Sequence, residues 1–399
     1  MVEKFKIRKI IVVDGSAMRD RRRHLAVLAI AIIFLTTAVE AATIEVSPGE
    51  GIQAAVNRAN PGDTILVQSG VYRESLNISR PIILEGRGHP LLDGSSIGSA
   101  ITLQADGARV SGFNIRTVRQ TGIHILSRNN IIENNTISSC LDGIRLDRAS
   151  TNNITHNDIN NNTNGITLYA SEGNTIENNN IRDNNINEAS DCGIFLVYSS
   201  NNIIRKNDLM NNGDCSISLR SSSNNAIIGN NVTNNDWYGI SLTESSDRNL
   251  IADNNASCNN NAGIYLDSSR QNLIRGNKAV HNAKGIYLSY DSNDNTLEGN
   301  NVSNNEKGLN LANHSSNNTL VGNTAKENGY GIYLSFSSGW DLIYGNHLIN
   351  NGCNAYDLGQ NNRWDNGSVG NYYSDLGRIF YVPGGPSVDR YPLAEGQGA

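Results

Sequence analysis

A period of 22 to 24 residues governs most of the chain, and asparagine marks it. In the frame I/L-x-x-N-x-I/V/L/A the residue recurs at Asn135, Asn157, Asn179, Asn207, Asn230, Asn254, Asn277, Asn300, Asn323 and Asn346. A second column follows five residues on, running from Cys140 and Asn162 to Asn328 and Asn351. A third signal, G-I-x-L, opens at Gly143, Gly165, Gly193, Gly239, Gly263, Gly285 and Gly331, with Gly308 starting the variant G-L-N-L. A fixed period of this size marks a stacked repeat. Each period holds three short apolar strands separated by polar bends and leaves no room for a crossover helix, which excludes Rossmann and TIM-type folds. A leucine-rich repeat would need a denser leucine frame. The expected fold is all-β: a right-handed, single-stranded parallel β-helix of about 11 coils.

Within G-I-x-L the two apolar residues alternate with x, so they line the interior while x faces outward. Asparagine tolerates the left-handed bends between sheets, and its amide both donates and accepts, so stacked amides bond to the coils above and below. The 62 asparagines raise the alternative of a low-complexity tract, but each column residue is bracketed by Ile, Val, Leu or Ala at constant offsets, which such tracts lack. The interval between Gly165 and Gly193 grows to 28 residues and predicts a surface bulge around Asn185 to Ala189. Gly51 to Asn60 has helical spacing and is expected to cap the first coil. After Cys353 the repeat ends, and Trp364, Tyr372, Tyr373, Tyr381 and Tyr391 are expected to fold over the last one.

The organisation expected is therefore 1–42 as a signal peptide or anchor, 43–95 as a cap with first coils, 96–354 as repeats and 355–399 as a closing segment. Arg19 to Arg23 precede an apolar run from Leu25 to Val39, followed by Val39-Glu40-Ala41, the order of a secretory signal; Met18 is the suspected true start. Export to the cell surface, periplasm or medium follows, with membrane contact only through an uncleaved N-terminal segment. Oligomeric state is left open between a monomer and an undefined oligomer. Charged residues make up 18% of the chain and the net charge is −6, which offers no basic stripe for nucleic acid. All five cysteines follow the signal. Cys192 and Cys215 fall in one column on adjacent coils and form a possible disulfide, with two buried free thiols as the alternative.

Acid–base chemistry would draw on Asp142, Arg145 and Asp147 beside one G-I-x-L strand, and on Asp191, Asp214 and Arg220 beside later ones. These residue types also simply hydrate the outside of a solenoid. A better lead is the outward x position, which holds Phe195, Tyr265, Tyr287 and Tyr333, with Trp237 and Tyr238 close by. Aromatic rings at rung spacing suit stacking against sugars. No metal site is expected, because after the signal only Met210 and six scattered histidines remain, and no cofactor is implied.

The entry segment from Ile44 to Val56, the stretches Pro61 to Val67, Gly70 to Glu74 and Ile82 to Gly86, and the G-I-x-L…N-x-I-x-x-N repeats together resemble the NosD-type branch of the pectate-lyase-like β-helix superfamily. The segments Gly370 to Asp375, Tyr381 to Gly385 and Val388 to Leu393 are similar to the closing segment of archaeal surface proteins with such repeats. The resemblance implies export and carbohydrate-binding or sugar-hydrolysis modules, and for NosD itself a link to copper-site maturation. The chain has neither the paired-Asp and Gly-His-Gly motifs of polygalacturonases nor the Asp-Pro-His motif of alginate epimerases. The leading expectation is an exported β-helix that binds an extended polysaccharide or envelope glycan or serves a structural role at the envelope. A polysaccharide lyase, epimerase or hydrolase, and a periplasmic copper-site accessory protein, are the alternatives.

Overall fold

The computed structural model describes residues 41–94, 98–184, 191–375 and 380–394. Expectations that fall on residues 1–40 and on the bulge at 185–190, the secretory segment among them, lie outside the described residues.

From Ala41 onward the chain winds through three parallel sheets, visiting each once per coil. Sheet A has 14 strands, from Thr43–Val46 to Leu342–Tyr344, and sheet C has 13, from Leu76–Ile78 to Cys353–Asp357. Sheet B runs for nine strands and then four, interrupted at Lys278, which makes only isolated bridges to Asn255 and Asn301. The solenoid therefore has about 14 turns rather than 11. The additional turns are mostly at the start, where register begins with Thr43 opposite Thr64 and continues through Ile83 and Arg109. Those coils use alternating Val, Ile and Leu without the asparagine signature, so counting asparagines overlooks them.

Interior stacks follow from the alternation. Ile144 and Leu146 lie over Ile166 and Leu168, then over Ile194 and Leu196, all fully buried. Sheet A contributes the same kind of column from Ile65 to Ile343. Glycine opens G-I-x-L because the coils touch there: a Cβ on Gly285 would sit 2.6 Å from the Gly308 carbonyl oxygen.

Both asparagine columns are ladders in which Oδ1 accepts from the backbone N–H and, at most rungs, from the Nδ2 of the residue one coil earlier, as between Asn179 and Asn207 at 3.0 Å each; Asn212 Nδ2 instead donates to Ser216. The structure adds a third ladder, from Asn130 and Asn152 through Asn318 to Asp341. It also corrects which residue bends. The left-handed conformation falls on the position before each ladder asparagine, such as Asn134, Lys206 and Asp253, while the ladder residue supplies the hydrogen bonds.

The helix Ile52–Arg58 buries Ile52, Ala55 and Val56 against the first coils, and the Glu74 carboxylate accepts from the Ile52 and Gln53 N–H groups. At the other end Trp364 is fully buried, its Nε1 donating to Asp357 at 2.9 Å, and Tyr373 stacks on Phe380 at 4.1 Å. Tyr381 and Tyr391 are exposed instead of packing on the last coil.

Candidate functional site

All the sheet C strands from Asp142 onward are five or six residues long, against three for nearly all the strands of the other two sheets, so among the described residues their outer face is the broadest of the three. Register puts Phe195, Ser218, Ser241, Tyr265, Tyr287, Asn310, Tyr333 and Tyr356 in one outward column. At about 4.8 Å per coil this row extends for about 34 Å along the axis.

A cavity of about 600 Å³ opens over the first part of the row. Phe195, Ser218, Ser241 and Tyr265 line it together with Trp237, from the bend before its strand, and Tyr238, the first residue of that strand. Asp214, Arg220, Glu244 and Asp267 contribute its polar lining, and Cys192 and Cys215 border it. Tyr238 and Tyr265 stack at 4.4 Å and 6°, and Tyr287 leans on Tyr265 at 5.2 Å. The stack leaves Tyr265 only 8% exposed, with its hydroxyl donating to Asp267 at 3.1 Å. Burial, reinforced by Asp267, pushes that phenol far above its usual pKa. Tyr265 is therefore a support, not an open platform, while Trp237, 50% exposed and edge-on to Tyr238, presents its ring.

The six acid–base candidates do not converge. Asp142, Arg145 and Asp147 form one network with His124, which the sequence reading had passed over although it occupies the x position of Gly122-Ile-His-Ile. Arg145 holds both Asp147 oxygens at 2.9 and 3.0 Å, His124 contacts Asp147 at 2.7 Å, and Thr167 donates to Asp142 at 2.6 Å. Burial raises the Asp147 pKa, but Arg145 and His124 outweigh it and hold the carboxyl below its ordinary value. Asp214 and Arg220 lie three coils further on, in the cavity, where Arg220 pairs with Glu244 at 2.6 Å. Asp191 is buried next to Cys192. Ser218, Ser241, Glu244 and Asp267 were also absent from the reading; they are the register neighbours and strand ends of residues that it named.

The five cysteines are thiols in this structure, and Cys192 and Cys215 are direct register partners. The neighbouring Cys215 and burial together raise the Cys192 pKa. Among the described residues, no three His, Cys, Asp or Glu side chains gather as a metal would require.

The model of a family described as periplasmic copper-binding protein (NosD) matches residues 57–256 and 238–377. No curated protein matches. Among solved structures, the Dettilon tailspike protein superposes with a TM-score of 0.58 at 17% identity, over 73% of this chain and 62% of its own. The A-module of the Azotobacter vinelandii mannuronan C-5 epimerase AlgE6 gives 0.54 at 14% identity, over 78% of this chain and 92% of the module. The catalytic domain of a GH87 alpha-1,3-glucanase in complex with nigerose gives 0.55 at 14% identity, over 76% and 66%. These likenesses, all at low identity, show the parallel β-helix fold.

Proposed function

Because this chain belongs to the NosD family of parallel β-helix proteins, we propose that it is an exported envelope protein whose sheet C binds an extended glycan along the solenoid axis. The observation that carries this reading is the cavity of about 600 Å³ where an open indole, Trp237, stands beside the Tyr238–Tyr265 stack and the hydroxyls of Ser218 and Ser241. Aromatic faces with a few convergent polar groups suit a sugar's apolar ring face and its hydroxyl rim. The row continues beyond the cavity, which favours a polymer over a single sugar. The epimerase and the glucanase are enzymes of polysaccharides by name; at such low identity the glycan reading rests on this chain's own groove.

Binding is favoured over turnover. Asp142 and Asp147 are engaged by Arg145, His124, Thr167 and Asn164, an arrangement that spends their lone pairs on the protein itself. Copper, named in the family's description, is not needed for this reading; the soft donors that face each other are the thiols of Cys192 and Cys215, and among the described residues no group of three His, Cys, Asp or Glu side chains gathers. Export agrees with the periplasmic description of the family and with the charged and apolar order of residues 19 to 39.

The test is retention in gels cast with neutral and acidic polysaccharides. Trp237→Ala is expected to weaken retention about tenfold, the order of loss for an aromatic ring that its ligand covers. Retention equal to the unmodified protein on every glycan that the latter binds would overturn the groove.

A further inference from the structure

Beyond the cavity the same face changes character. Lys284 and Lys307 begin successive sheet C strands and are direct register partners. Like charges placed opposite each other on neighbouring strands repel, so this column costs stability unless something offsets it. Among the described residues neither lysine forms an ion pair with a carboxylate; Glu306 acts on both only at longer range. Lys284 Nζ donates to Asn261 at 3.1 Å and lies 4.6 Å from the Tyr287 ring centre, while Lys307 Nζ lies 3.7 Å over Tyr333. Both are partly buried, and burial lowers the pKa of each.

Asn310 stands between Tyr287 and Tyr333 in the outward column, on the same coil as Lys307. It is 3% exposed, and its Oδ1 has no hydrogen-bond partner in the protein. A buried acceptor without a donor is costly, because nothing replaces the water it has lost. Two unneutralised ammonium groups and one unmet acceptor thus share a single aromatic-walled patch, next along the axis from the cavity through the Tyr265–Tyr287 contact.

We propose that Lys284, Lys307 and Asn310 form a subsite for a sugar ring bearing an anionic substituent, a carboxylate or a sulfate ester. The anion bridges the two ammonium groups, an adjacent hydroxyl donates to Asn310 Oδ1, and Tyr287 and Tyr333 flank the ring. This rests on the glycan-groove reading and names the chemistry of one of its occupants.

Gels containing polygalacturonate, its methyl ester, dextran sulfate or dextran separate the possibilities. The unmodified protein is expected to be retained about tenfold more strongly by one of the two charged polymers than by its uncharged counterpart, and the charged polymer that does so identifies the substituent. Lys284→Gln with Lys307→Gln is expected to erase that preference and leave residual uncharged binding unchanged. Lys206→Gln with Lys326→Gln, an equal charge change at surface lysines off sheet C, is expected to preserve it. Matching unfolding midpoints exclude misfolding, and Asn310→Ala provides a further variant that alters no charge. If the sheet C lysine variant keeps the preference while Trp237→Ala loses retention, the subsite is wrong and the groove stands. If both lysine variants lose it equally, the attraction is diffuse charge and the subsite falls. If no polymer is retained, groove and subsite fall together.

Discussion

A ladder asparagine such as Asn230 is a connector whose amide is fully used. Asn230 Oδ1 accepts from the N–H and Nδ2 of Asn207, and its own Nδ2 donates to the Ile204 carbonyl and to Asn254 Oδ1, each at 3.0 Å. Asp341 breaks the pattern in the third ladder. Its Oδ1 accepts from Asn318 as an amide oxygen would, but its Oδ2, where the ladder has Nδ2, finds no partner. Burial pushes this carboxyl up to about 8, against bonds from Asn318 that lower it; protonated, it regains a donor. In the unfolded chain it titrates near 4 (about 3.9 for a free Asp). Between those two values the folded state keeps a proton that the unfolded state has lost, so stability falls as pH rises through the interval. Asp341→Asn is expected to raise the thermal midpoint at pH 8, with little effect at pH 4; melts across that range check it. The two asparagine columns could be read because apolar residues bracket them at fixed offsets. The third was hidden among bend residues such as Ser127, Arg128 and Asn129, whose composition matches any loop.

At the scale of strands, register turns a sequence column into a surface. G-I-x-L gave the direction of every sheet C side chain, and Phe195, Tyr265, Tyr287 and Tyr333 do share the outward row. What it does not encode is which rings cover one another, so burial of Tyr265 beneath Tyr238 and exposure of Trp237 emerged only with the bends in place. The lysine pair did carry a signal, K-G repeated 23 residues apart at Lys284 and Lys307. Sequence alone does not separate such a pair from charges that merely solvate a strand end. Cys192 and Cys215 face each other on neighbouring strands of this sheet, at a spacing compatible with a disulfide. Under mild oxidation they are expected to form one cross-link, found by non-reducing peptide mapping, that stabilises the protein by about 3 kcal/mol. Cys192→Ser is expected to lose that increment. Slow reaction is expected as well, since the buried Cys192 thiol with its raised pKa supplies little thiolate.

For the solenoid as a whole, the ends are where its physics differs. Every interior coil meets a neighbour above and below, whereas a terminal coil bares strand edges and an apolar cross-section. Trp364 closes the last coil, anchored to Asp357, so Trp364→Ala is expected to cost about 3–5 kcal/mol. The uncovered edge is also expected to drive self-association, visible as a concentration-dependent rise in mass by light scattering. The helix at the start was legible from its spacing. First coils were expected over 43–95, but their number could not be counted, because Val46, Val67 and Leu84 fill the interior without any asparagine to announce the turn.

Because each rung repeats its neighbour's bonding, length is a variable separate from chemistry. Excising the 23 residues from Asn277 to Gly299 would bring Asn300 beneath Asn254 with the same amide contacts, shortening the rod by about 4.8 Å. Such a body is a graduated ruler: one division inserted between Tyr265 and Lys284 would move Trp237 and the lysine patch apart by a rung, whereas that excision would also take Lys284 out of the patch. A chain built this way can fit its spacing to the repeat of whatever polymer lies along it by changing the number of its divisions.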